Sequence, residues 1–396
     1  MEISLEKVLQ HVIHLMQTKG HAVIVVAEGC GDTLMKSSGE TDAGGNRKLA
    51  DVGPFLRDKI IERFKLVKLP LSIKYIDPTY MIRAVSCNAN DGVYCSVLAQ
   101  NAVHAAMAGY TGVTVAQVQQ QHVLLPIQCV TKLPSKQVDL RGRWFQELVS
   151  STFQPDFTPD GCEQQDVIKP NPEALNDCSE TIDVVDCLCP DEEVRQMQLD
   201  HVKDRFGSQA QPTTLNESVK GGDLGFHDAD SWVTQTLGAS NVRLQMLKAG
   251  PRRQIYFRPQ EVAATIVTVG GLCPGLNAVI RELVMMLYAY GVKKVYGIKG
   301  GYKGVVHPNS WITLNPENVR DLHKQGGSIL MNDRGNPPHF EMAKVLQRKG
   351  VRQHFVLGGH GTQKGANQTY AELQALNWEC SVVGIPKTID NDISLM

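Results

Sequence analysis

Three apolar segments, each followed at once by a loop of glycine or carboxylate residues, constrain the fold of this chain most strongly. The segments ATIVTV at 264–269, HFVLGG and SVVGIP have the length and apolar composition of buried strands. Residues 276–291 between the first two carry a helical apolar stripe that stops at Gly291. This alternation predicts an α/β fold with a doubly wound, mainly parallel sheet, helices on both faces and loops clustered at the strand carboxyl ends.

Glycine-rich loops follow the first two of these strands. Glycine lets the backbone approach a ligand closely, and the helix that follows points its positive end at the loop. One such turn is explained about as often by close strand–helix packing as by phosphate binding, but two on adjacent parallel strands indicate a nucleotide site. The residues concerned are Gly270, Gly271 and Gly275 in the first loop, and Gly358, Gly359, Gly361, Thr362 and Gly365 in the second.

The third strand leads into the sequence KTIDND. If the chain stays extended there, alternation places Thr388, Asp390 and Asp392 on one side. Paired carboxylates beside phosphate loops suit phosphoryl transfer to an alcohol, since one can accept the hydroxyl proton. A solvated turn is the alternative for DND alone, but Pro386 and Lys387 before it disfavour that interpretation.

Residues 1–157 also alternate between helix and strand signals. Leu5, Val8, Leu9, Val12 and Met16 share one helical face. HAVIVVA at 21–27 is typical of a buried strand, 91–109 of a helix, and 122–130 of another strand.

The composition changes sharply after residue 157. Between Asp156 and Asp204 there are fourteen Asp or Glu against three Lys or Arg, a composition that cannot bury enough apolar surface to offset the entropy of ordering. We predict a disordered acidic linker at 158–231, with a second globular part at 232–396. Cys187 and Cys189 in this stretch have no second cysteine pair at zinc-finger spacing, which disfavours a metal site there.

Charge and hydropathy exclude two classes of partner. Forty basic and forty-one acidic side chains nearly cancel, which argues against nucleic acid or an anionic membrane as a partner. The longest apolar runs fall short of a membrane span, and the amino terminus lacks the features of a signal peptide. We therefore predict a cytoplasmic protein with reduced cysteines.

Taken together, GGLCPGLN, GGHGTQKGA and PKTIDND resemble the amino-terminal half of the 6-phosphofructokinase family, most of all its plant-type ATP-using branch. The lead-in AGPRRQIYFRP extends this resemblance to 249–396. It implies a phosphofructokinase-like fold in two partial lobes, with Asp390 as the general base and Thr388 and Asp392 close to the transferred phosphoryl group. It places the ATP side at Gly270, Tyr302, Arg334, Gly359, His360, Gly361, Thr362 and Gly365.

Residues 1–157 resemble the carboxyl-terminal half of the same family through HAVIVVAEG, GNRKLADVGPFL, IKYIDPTYMIRA and VYCSVLAQNAVHAAMAGYTG. The family's sugar-phosphate contacts carry over to Glu28, Lys74, Tyr80 and Arg83. The two cations suit a phosphate, and Glu28 suits sugar hydroxyls. Considered apart from the family resemblance, the sequence YMIR predicts only an ordinary strand end.

Two positions bear on the phosphoryl donor. The pyrophosphate-using branch has Asp at the position of Gly361 in this chain, so this glycine favours ATP, although Lys387 is shared with that branch.

His360 stands where the family has a carboxylate associated with Mg²⁺, and neutral imidazole is a poor substitute for oxygen. In the loop before Arg334, Met331 and Asp333 are expected to crowd or repel a nucleotide.

The order of the two pieces also departs from the family. A family subunit runs from the ATP half through a Met-Gly-Arg segment into the sugar-phosphate half, whereas that segment does not occur here. Circular permutation would retain it, so we expect a piece of a tandem-duplicated protein or an incomplete gene product. Neighbouring strands would then be missing, leaving hydrophobic sheet edges unless the two pieces pair.

The resemblance implies ATP-dependent phosphorylation of fructose 6-phosphate, with Mg²⁺ as the family's metal and a homo-oligomer or a pairing with another family copy. His360 and the absent segment argue against independent turnover. The alternative is a catalytically inactive member that binds sugar phosphate or nucleotide as a regulatory subunit. A lipid or dinucleotide kinase shares the GG-x-GT loop, but is not expected to carry PKTIDND with YIDPTYMIR.

Overall fold

The structure, a computed structural model, describes residues 3–27, 29–30, 34–35, 49–133, 138–139, 142–159, 194–215, 231–236, 243–333, 335–391 and 393. The chain divides into two compact units. The first comprises Met1–Pro78 and Gln137–Asp177, and the second Thr79–Lys136 and Cys178–Met396.

The elements are numbered in chain order. The helices are α1 (Leu5–Lys19), α2 (Val52–Leu66), α3 (Thr79–Arg83), α4 (Ala89–Ala108), α5 (Ile127–Lys132), α6 (Arg143–Ser151), α7 (Val202–Phe206), α8 (Leu276–Tyr290), α9 (Gly301–Val306), α10 (Pro316–Val319), α11 (His339–Arg348) and α12 (His360–Ala375). The strands are β1 (Val113–Val118), β2 (Gln121–Pro126), β3 (Val194–Gln196), β4 (Gln211–Pro212), β5 (Trp232–Thr236), β6 (Arg243–Lys248), β7 (Gln254–Ile255), β8 (Ala263–Thr268), β9 (Lys294–Ile298), β10 (Trp311–Thr313), β11 (Val351–Gly358) and β12 (Ser381–Pro386). Short 3-10 helices lie at Pro259–Glu261, Pro308–Ser310 and Leu322–Lys324.

The first unit has a small helical core. The apolar face of α1 predicted from the sequence packs against α2, with Leu9 and Val12 buried beside Ile60 and Phe64. Ser4 caps the start of α1, and Gly20, at a φ of 74°, ends it. Helix α6 adds no buried side chain to this core.

The buried strand predicted at 21–27 is wrong. These residues have no regular secondary structure, and Val23 and Val25 are 84% and 92% exposed. A buried strand needs neighbours on both sides to pair its backbone. The described residues of this unit form helices and loops, so the valine-rich segment has no sheet to join.

The second unit is built on a ten-stranded sheet, in the order β10-β9-β8-β11-β12-β1-β2-β6-β3 with β5 paired to β6. The five neighbours from β9 to β1 run parallel to one another. Antiparallel β10 and β2 flank them. The parallel sheet predicted from 264–269, HFVLGG and SVVGIP is therefore confirmed.

Helices cover both faces of this sheet. On one face Ile266, Phe355 and Val383 pack against α4 and α8. On the other face Val267, Val356 and Val382 pack against α9, α11 and α12. Successive strand residues thus point to opposite cores, as strand geometry requires, and the doubly wound α/β fold is confirmed.

The two sequence pieces meet in this one sheet. Strand β1, from the first piece, pairs in parallel with β12, from the second, with Val113 opposite Val383. Thr114 Oγ1 donates to Gly384 O at 3.1 Å across the same junction. The pairing covers an edge of β12 that would otherwise expose backbone groups.

Part of the predicted linker is ordered. Strand β3 pairs in parallel with β6, and Met197 and Val202 are buried. Residues 160–193 and 216–230 of the predicted linker lie outside the described residues. The prediction at 194–215 extended the acidic composition of the preceding residues into a segment that packs on a sheet, and that sheet supplies apolar contacts that composition alone does not reveal.

Two local predictions also need correction. The strand predicted at 122–130 ends at Pro126, and helix α5 follows it. The segment YMIR forms helix α3 and is not a strand end. None of the helices that the structure describes is long and apolar enough to cross a membrane.

Phe64 is 1% exposed in the core of the first unit. We expect Phe64→Ala to lower the free energy of unfolding of this unit by about 3–5 kcal/mol, because the change leaves a cavity. Urea denaturation, monitored through hydrogen exchange of the amides in α2, measures this change in the free energy of unfolding. Phe153→Ala, at a ring of the same unit that is 84% exposed, is the control and should cost less than about 1 kcal/mol. Equal losses in the two variants would contradict the packing.

Candidate functional site

The loop after β8 depends on two glycines in the left-handed region. Gly270 has a φ of 83°, and its N–H donates to Asp333 O at 3.1 Å. Gly275 has a φ of 96° and precedes α8. A Cβ on Gly275 would lie 2.5 Å from Cys95 Sγ on α4. Backbone conformation and packing therefore both require glycine at this position.

Arg83, the last residue of α3, holds the same loop. Its Nε donates to Leu272 O at 2.7 Å. Its guanidinium occupies the place that a Cβ on Gly271 would take. Residues of the two sequence pieces are thus in direct contact here, within one compact unit.

The loop after β11 runs directly into α12. Gly359 is the N-cap and His360 the first helical residue, so the positive end of a sixteen-residue helix lies at this loop. A Cβ on Gly358 would overlap the side chain of Thr362, which is buried. Gly361 is exposed, and no atom lies within 4 Å of the place of its Cβ.

Lys387, just past the end of β12, links all three loops. Its N–H donates to Gly358 O at 3.0 Å, and its Nζ donates to Gly271 O. Lys387 Nζ lies 3.4 Å, and Thr362 Oγ1 3.8 Å, from the position that a Cβ on Gly270 would occupy. A cation, a hydroxyl group and open backbone from three adjacent parallel strands therefore meet at one point.

The segment after Lys387 does not stay extended. The chain bends at residues 389–390, and the Asp390 N–H donates to Thr388 Oγ1 at 3.2 Å. Asn391 follows with a φ of 51°. The predicted alternation of Thr388 and Asp390 on one side is wrong for this reason. Asp390 is exposed, whereas Thr388 is half-buried and its carbonyl accepts from Cys273 Sγ at 3.5 Å.

Four charged groups act on Cys273 in the first loop. Burial raises the pKa of its thiol, while Lys387 and Arg83 act to lower it, and Asp91 and Asp390 act to raise it. Two cations and two carboxylates are therefore close enough to this loop to influence the thiol.

Tyr302 lies beneath the site and does not line it. Its side chain is 0% exposed, and its hydroxyl donates to Thr362 O at 2.7 Å. A Cβ on Gly365 would lie 2.8 Å from the Tyr302 ring. The prediction that Tyr302 lines the ATP side is corrected, since a fully buried ring supports the first turn of α12 from within. Burial raises the pKa of Tyr302.

Not every predicted site residue can be compared with this arrangement. Lys74 belongs to the first unit, where its side chain is exposed. Tyr80 lies on α3 near Arg83 and is 73% exposed. Glu28, Arg334 and Asp392 lie outside the described residues.

The loop at 328–333 was expected to crowd or repel a nucleotide through Met331 and Asp333, and its structure agrees with this only in part. Met331 is 60% exposed with a φ of 56°. The Asp333 carboxylate is 2.9 Å from Lys303 Nζ, so a cation offsets its negative charge. The expected repulsion of a nucleotide by Asp333 is correspondingly reduced.

Two supporting residues escaped the sequence reasoning. Asn332 Nδ2 donates to Gly271 O at 3.1 Å. Gln363 Nε2 donates to Gly358 O at 3.4 Å and Ile385 O at 3.3 Å, and so ties the ends of β11 and β12 together. Gln363 lies inside the second glycine-rich motif, which was the available signal, whereas nothing local to Asn332 indicates its contact.

The donor set at the start of α12 does not fit Mg²⁺. His360 offers a nitrogen where a hard cation requires carboxylate oxygen. Its Nδ1 is buried and has no hydrogen-bond partner among the described residues. Among all the residues that the structure describes, no group of three His, Cys, Asp or Glu side chains is placed to hold a metal ion.

Comparison with known proteins identifies the family that the carboxyl-terminal part resembles. Residues 263–396 match the family model described as Phosphofructokinase. The chain is 49% identical over 150 residues to the ATP-dependent 6-phosphofructokinase 7 of Arabidopsis thaliana, covering 38% of this chain and 31% of that protein. It is 47% identical over 148 residues to the ATP-dependent 6-phosphofructokinase of Borreliella burgdorferi, covering 37% of this chain and 33% of that protein.

The resemblance is thereby confirmed for the carboxyl-terminal part, including its likeness to plant proteins. The chain spans about a third of the length of these curated relatives. A solved pyrophosphate-dependent phosphofructokinase from Marinobacter aquaeolei aligns with a TM-score of 0.32 and 19% identity, covering 34% of this chain and 35% of that one, which is too distant to support an argument. The resemblance of residues 1–157 stays a prediction.

The Tyr302 hydroxyl tests whether the second loop is held from beneath. We expect Tyr302→Phe to lower the free energy of unfolding by about 1 kcal/mol, because the bond to Thr362 O is lost. Chemical denaturation measures the change. Tyr288→Phe removes an exposed hydroxyl that donates to Lys293 O, and should cost less than about 0.5 kcal/mol. A Tyr302 variant as stable as the unmodified protein would contradict this support.

Proposed function

We propose that the carboxyl-terminal loops form the ATP side of a 6-phosphofructokinase site, where a phosphoryl group passes from ATP to fructose 6-phosphate. The observation that carries this proposal is the meeting of Lys387 Nζ and Thr362 Oγ1 beside Gly270. Phosphoryl transfer needs donors and positive charge around phosphate oxygens more than it needs covalent chemistry. In the proposed pose, Gly359 and Gly361 give the nucleotide access to the α12 backbone, whereas Gly365 is buried against the Tyr302 ring.

Asp390 is the proposed general base. It accepts the proton of the sugar hydroxyl as that oxygen bonds to the γ-phosphorus and the bond to the β–γ bridging oxygen breaks, releasing ADP. Its exposure leaves it open to substrate, and its N–H bond to Thr388 Oγ1 fixes the turn that carries it. Thr388 and Asp392 are proposed to lie next to the transferred group.

On the second unit, the sugar phosphate is proposed to contact Tyr80 and Arg83; for Glu28 and Lys74 a sugar-phosphate contact stays an expectation from the family resemblance. Arg83 supports this assignment because its Nε–H bond to Leu272 O fixes a cation beside the first glycine loop. A guanidinium in that position can bind phosphate with two parallel bonds. Tyr80, on the same short helix, would add a hydroxyl donor.

A second candidate is a non-catalytic member that binds nucleotide or sugar phosphate as a regulatory subunit. His360 favours it, because a site that does not fit Mg²⁺ neutralises transition-state charge less well. In both cases the proposed setting is the cytoplasm, as a homo-oligomer or paired with another copy of the family.

Calorimetry with ATP and with fructose 6-phosphate, beside a coupled turnover assay, separates the two candidates. Binding of both ligands with turnover supports the kinase and excludes the regulatory subunit. Binding without turnover supports the regulatory subunit. Binding of neither ligand contradicts both.

Replacing the proposed base tests the chemistry. We expect Asp390→Asn to lower kcat at least about a hundredfold, because an amide cannot accept the proton. Calorimetry should give an ATP affinity within about twofold of the unmodified chain. Asp321→Asn, at an exposed carboxylate paired with Lys324, is the matched control and should leave kcat unchanged. Full turnover in Asp390→Asn would remove this residue as the base.

Gly361 tests the choice of phosphoryl donor. Because no atom lies within 4 Å of the place of its Cβ, Gly361→Asp should fold with a stability within about 0.5 kcal/mol of the parent. We expect it to weaken ATP binding about tenfold, since the carboxylate repels phosphate. Gly361→Asn separates size from charge and should weaken binding less. Unchanged affinity in Gly361→Asp would place the phosphates elsewhere.

A further inference from the structure

Helix α3 carries Tyr80 and Arg83, yet apolar packing does not hold it in place. None of the five described residues of α3 is buried, and Tyr80, Met81 and Ile82 are exposed. A helix this short is not stable by itself in water, so its position depends on the contacts at its ends. Its last residue, Arg83, donates to Leu272 O at 2.7 Å. The contacts of the residues just after Arg83 therefore help to decide where the helix lies.

The chain after α3 lies directly against Gly326. A Cβ on this glycine would overlap Ala84 O and would lie 2.7 Å from the carbonyl carbon of Val85. The atoms in the way belong to the backbone, so they cannot swing aside as the end of a flexible side chain can. Glycine at 326 therefore lets the segment after α3 reach its observed position, and a larger residue there would displace that segment.

Two glycines of the first loop make room for neighbouring parts of the same segment. The Arg83 guanidinium takes the place of a Cβ on Gly271. A Cβ on Gly275 would lie 2.5 Å from Cys95 Sγ and 3.7 Å from Cys87 Cβ. Three glycines from two loops thus contact one stretch of chain, from the end of α3 into α4. These three contact glycines are Gly271, Gly275 and Gly326.

Asn277, in the first turn of α8, holds Gly326 in place. Its side chain is 3% exposed, and its Nδ2 donates to Gln325 O at 3.0 Å and to Gly326 O at 3.2 Å. Its Oδ1 accepts from the Ile329 N–H at 2.9 Å. Breaking these bonds would leave buried polar groups unpaired, so the side chain fixes the backbone that it contacts. Asn277 therefore links α8 to Gly326, and through Gly326 to the segment after α3.

A small displacement of α3 would matter to a ligand that Arg83 binds. A guanidinium binds phosphate through two parallel bonds, which require a fixed orientation. A shift of about 1 Å in a group that positions a substrate is enough to lower binding or rate strongly. The overlap at Gly271 could be relieved by movement of the Arg83 side chain alone, whereas relief at Gly326 requires the backbone after α3 to move.

We propose that Gly326 and Asn277 are positioning residues, which set the place of α3 so that Tyr80 and Arg83 present their donors to the phosphate of a sugar phosphate. The inference rests on the proposed sugar-phosphate function of α3 and adds the residues that orient it. Neither positioning residue contacts the ligand, since each acts through the segment after α3.

Thiol alkylation of the full chain tests the placement of this segment without any ligand. Gly326→Ala should raise the rate at which iodoacetamide labels the half-buried Cys87 about fivefold, because the segment that carries this thiol is pushed away from the contact glycines. Cys380, just before β12, is 4% exposed and reports unfolding of the whole unit. Its labelling should stay as slow as in the unmodified chain. Mass spectrometry measures both rates.

The adjacent glycine supplies the matched control for alkylation. Gly327 has a φ of 74°, which Asn tolerates, and no atom lies within 4 Å of the place of its Cβ. Gly327→Asn therefore adds a larger side chain than Gly326→Ala does, yet should leave the labelling of Cys87 unchanged. An unchanged Cys87 rate in Gly326→Ala, or an equal rise at Cys380, overturns the proposal.

Calorimetry tests what the position of α3 does for binding. Gly326→Ala should weaken the binding of fructose 6-phosphate about tenfold, because the Arg83 guanidinium is misplaced. Its affinity for ATP should stay within about twofold of the unmodified chain, because the second loop is not disturbed. Gly327→Asn should bind both ligands as the unmodified chain does.

A second variant keeps the proposal testable if Gly326→Ala does not fold. Asn277→Ala removes the bonds that hold Gly326 without adding bulk, and should weaken fructose 6-phosphate binding about threefold with little change for ATP. Thr265→Val is the matched control, since it removes a buried hydroxyl in β8 that donates to Gln353 O at 3.3 Å. It should leave both affinities unchanged, which separates positioning from a general loss of stability.

The outcomes distinguish this inference from the function on which it rests. Faster labelling of Cys87 with a selective loss of fructose 6-phosphate affinity supports both. An unmodified chain that binds no fructose 6-phosphate overturns the proposed sugar-phosphate site, and with it the role of α3 there. Fructose 6-phosphate binding that Gly326→Ala and Asn277→Ala leave unchanged, or that falls no more than ATP binding does, overturns the inference alone.

Discussion

The parallel alignment of β8, β11 and β12 is the constraint on which the candidate site depends. Parallel neighbours end at the same edge of a sheet, so the three loops that follow them lie side by side. Lys387 makes that proximity specific, because its backbone N–H holds the second loop and its side chain holds the first. Without this register the glycines of 270–275 and 358–365 would lie in two separate turns.

The support beneath the loops is as important as their surface. Tyr302 and Gln363 are buried, and each bonds a carbonyl at or beside the second loop. Close packing leaves such groups little freedom, so the loop backbone is held in one conformation before a ligand arrives. The glycines there differ, since Gly361 leaves open space at the loop surface, whereas Gly365 makes room for the Tyr302 ring.

Much of the second unit was predictable because its signals are local. The apolar run at 264–269 and the stripe at 276–291 match β8 and α8 within a residue or so. The errors fall where structure depends on distant partners. HAVIVVA has the composition of a strand, but the described residues of the first unit offer it no sheet to join. The segment 194–215 is polar yet contacts a sheet formed by other segments.

Within the candidate site, the sequence motifs indicated three residues that the structure places together, but not the orientation of their neighbours. The motifs identified Lys387, Thr362 and Gly270, and the structure brings these three together. Burial of Tyr302 and the bend after Thr388 could not be foreseen, because each follows from a contact between residues far apart or from a hydrogen bond in the turn. Motif spacing reports which residues share a loop and carries little information about which way each faces.

Hydrogen exchange of the full chain with and without ATP tests most directly whether the three loops form one site. If they do, amides in 269–277, 357–366 and 386–391 gain protection together when ATP is added, since all three segments would contact the same phosphates. If calorimetry detects ATP binding while protection appears in only one of these segments, or elsewhere in the chain, the three loops do not form one ATP site.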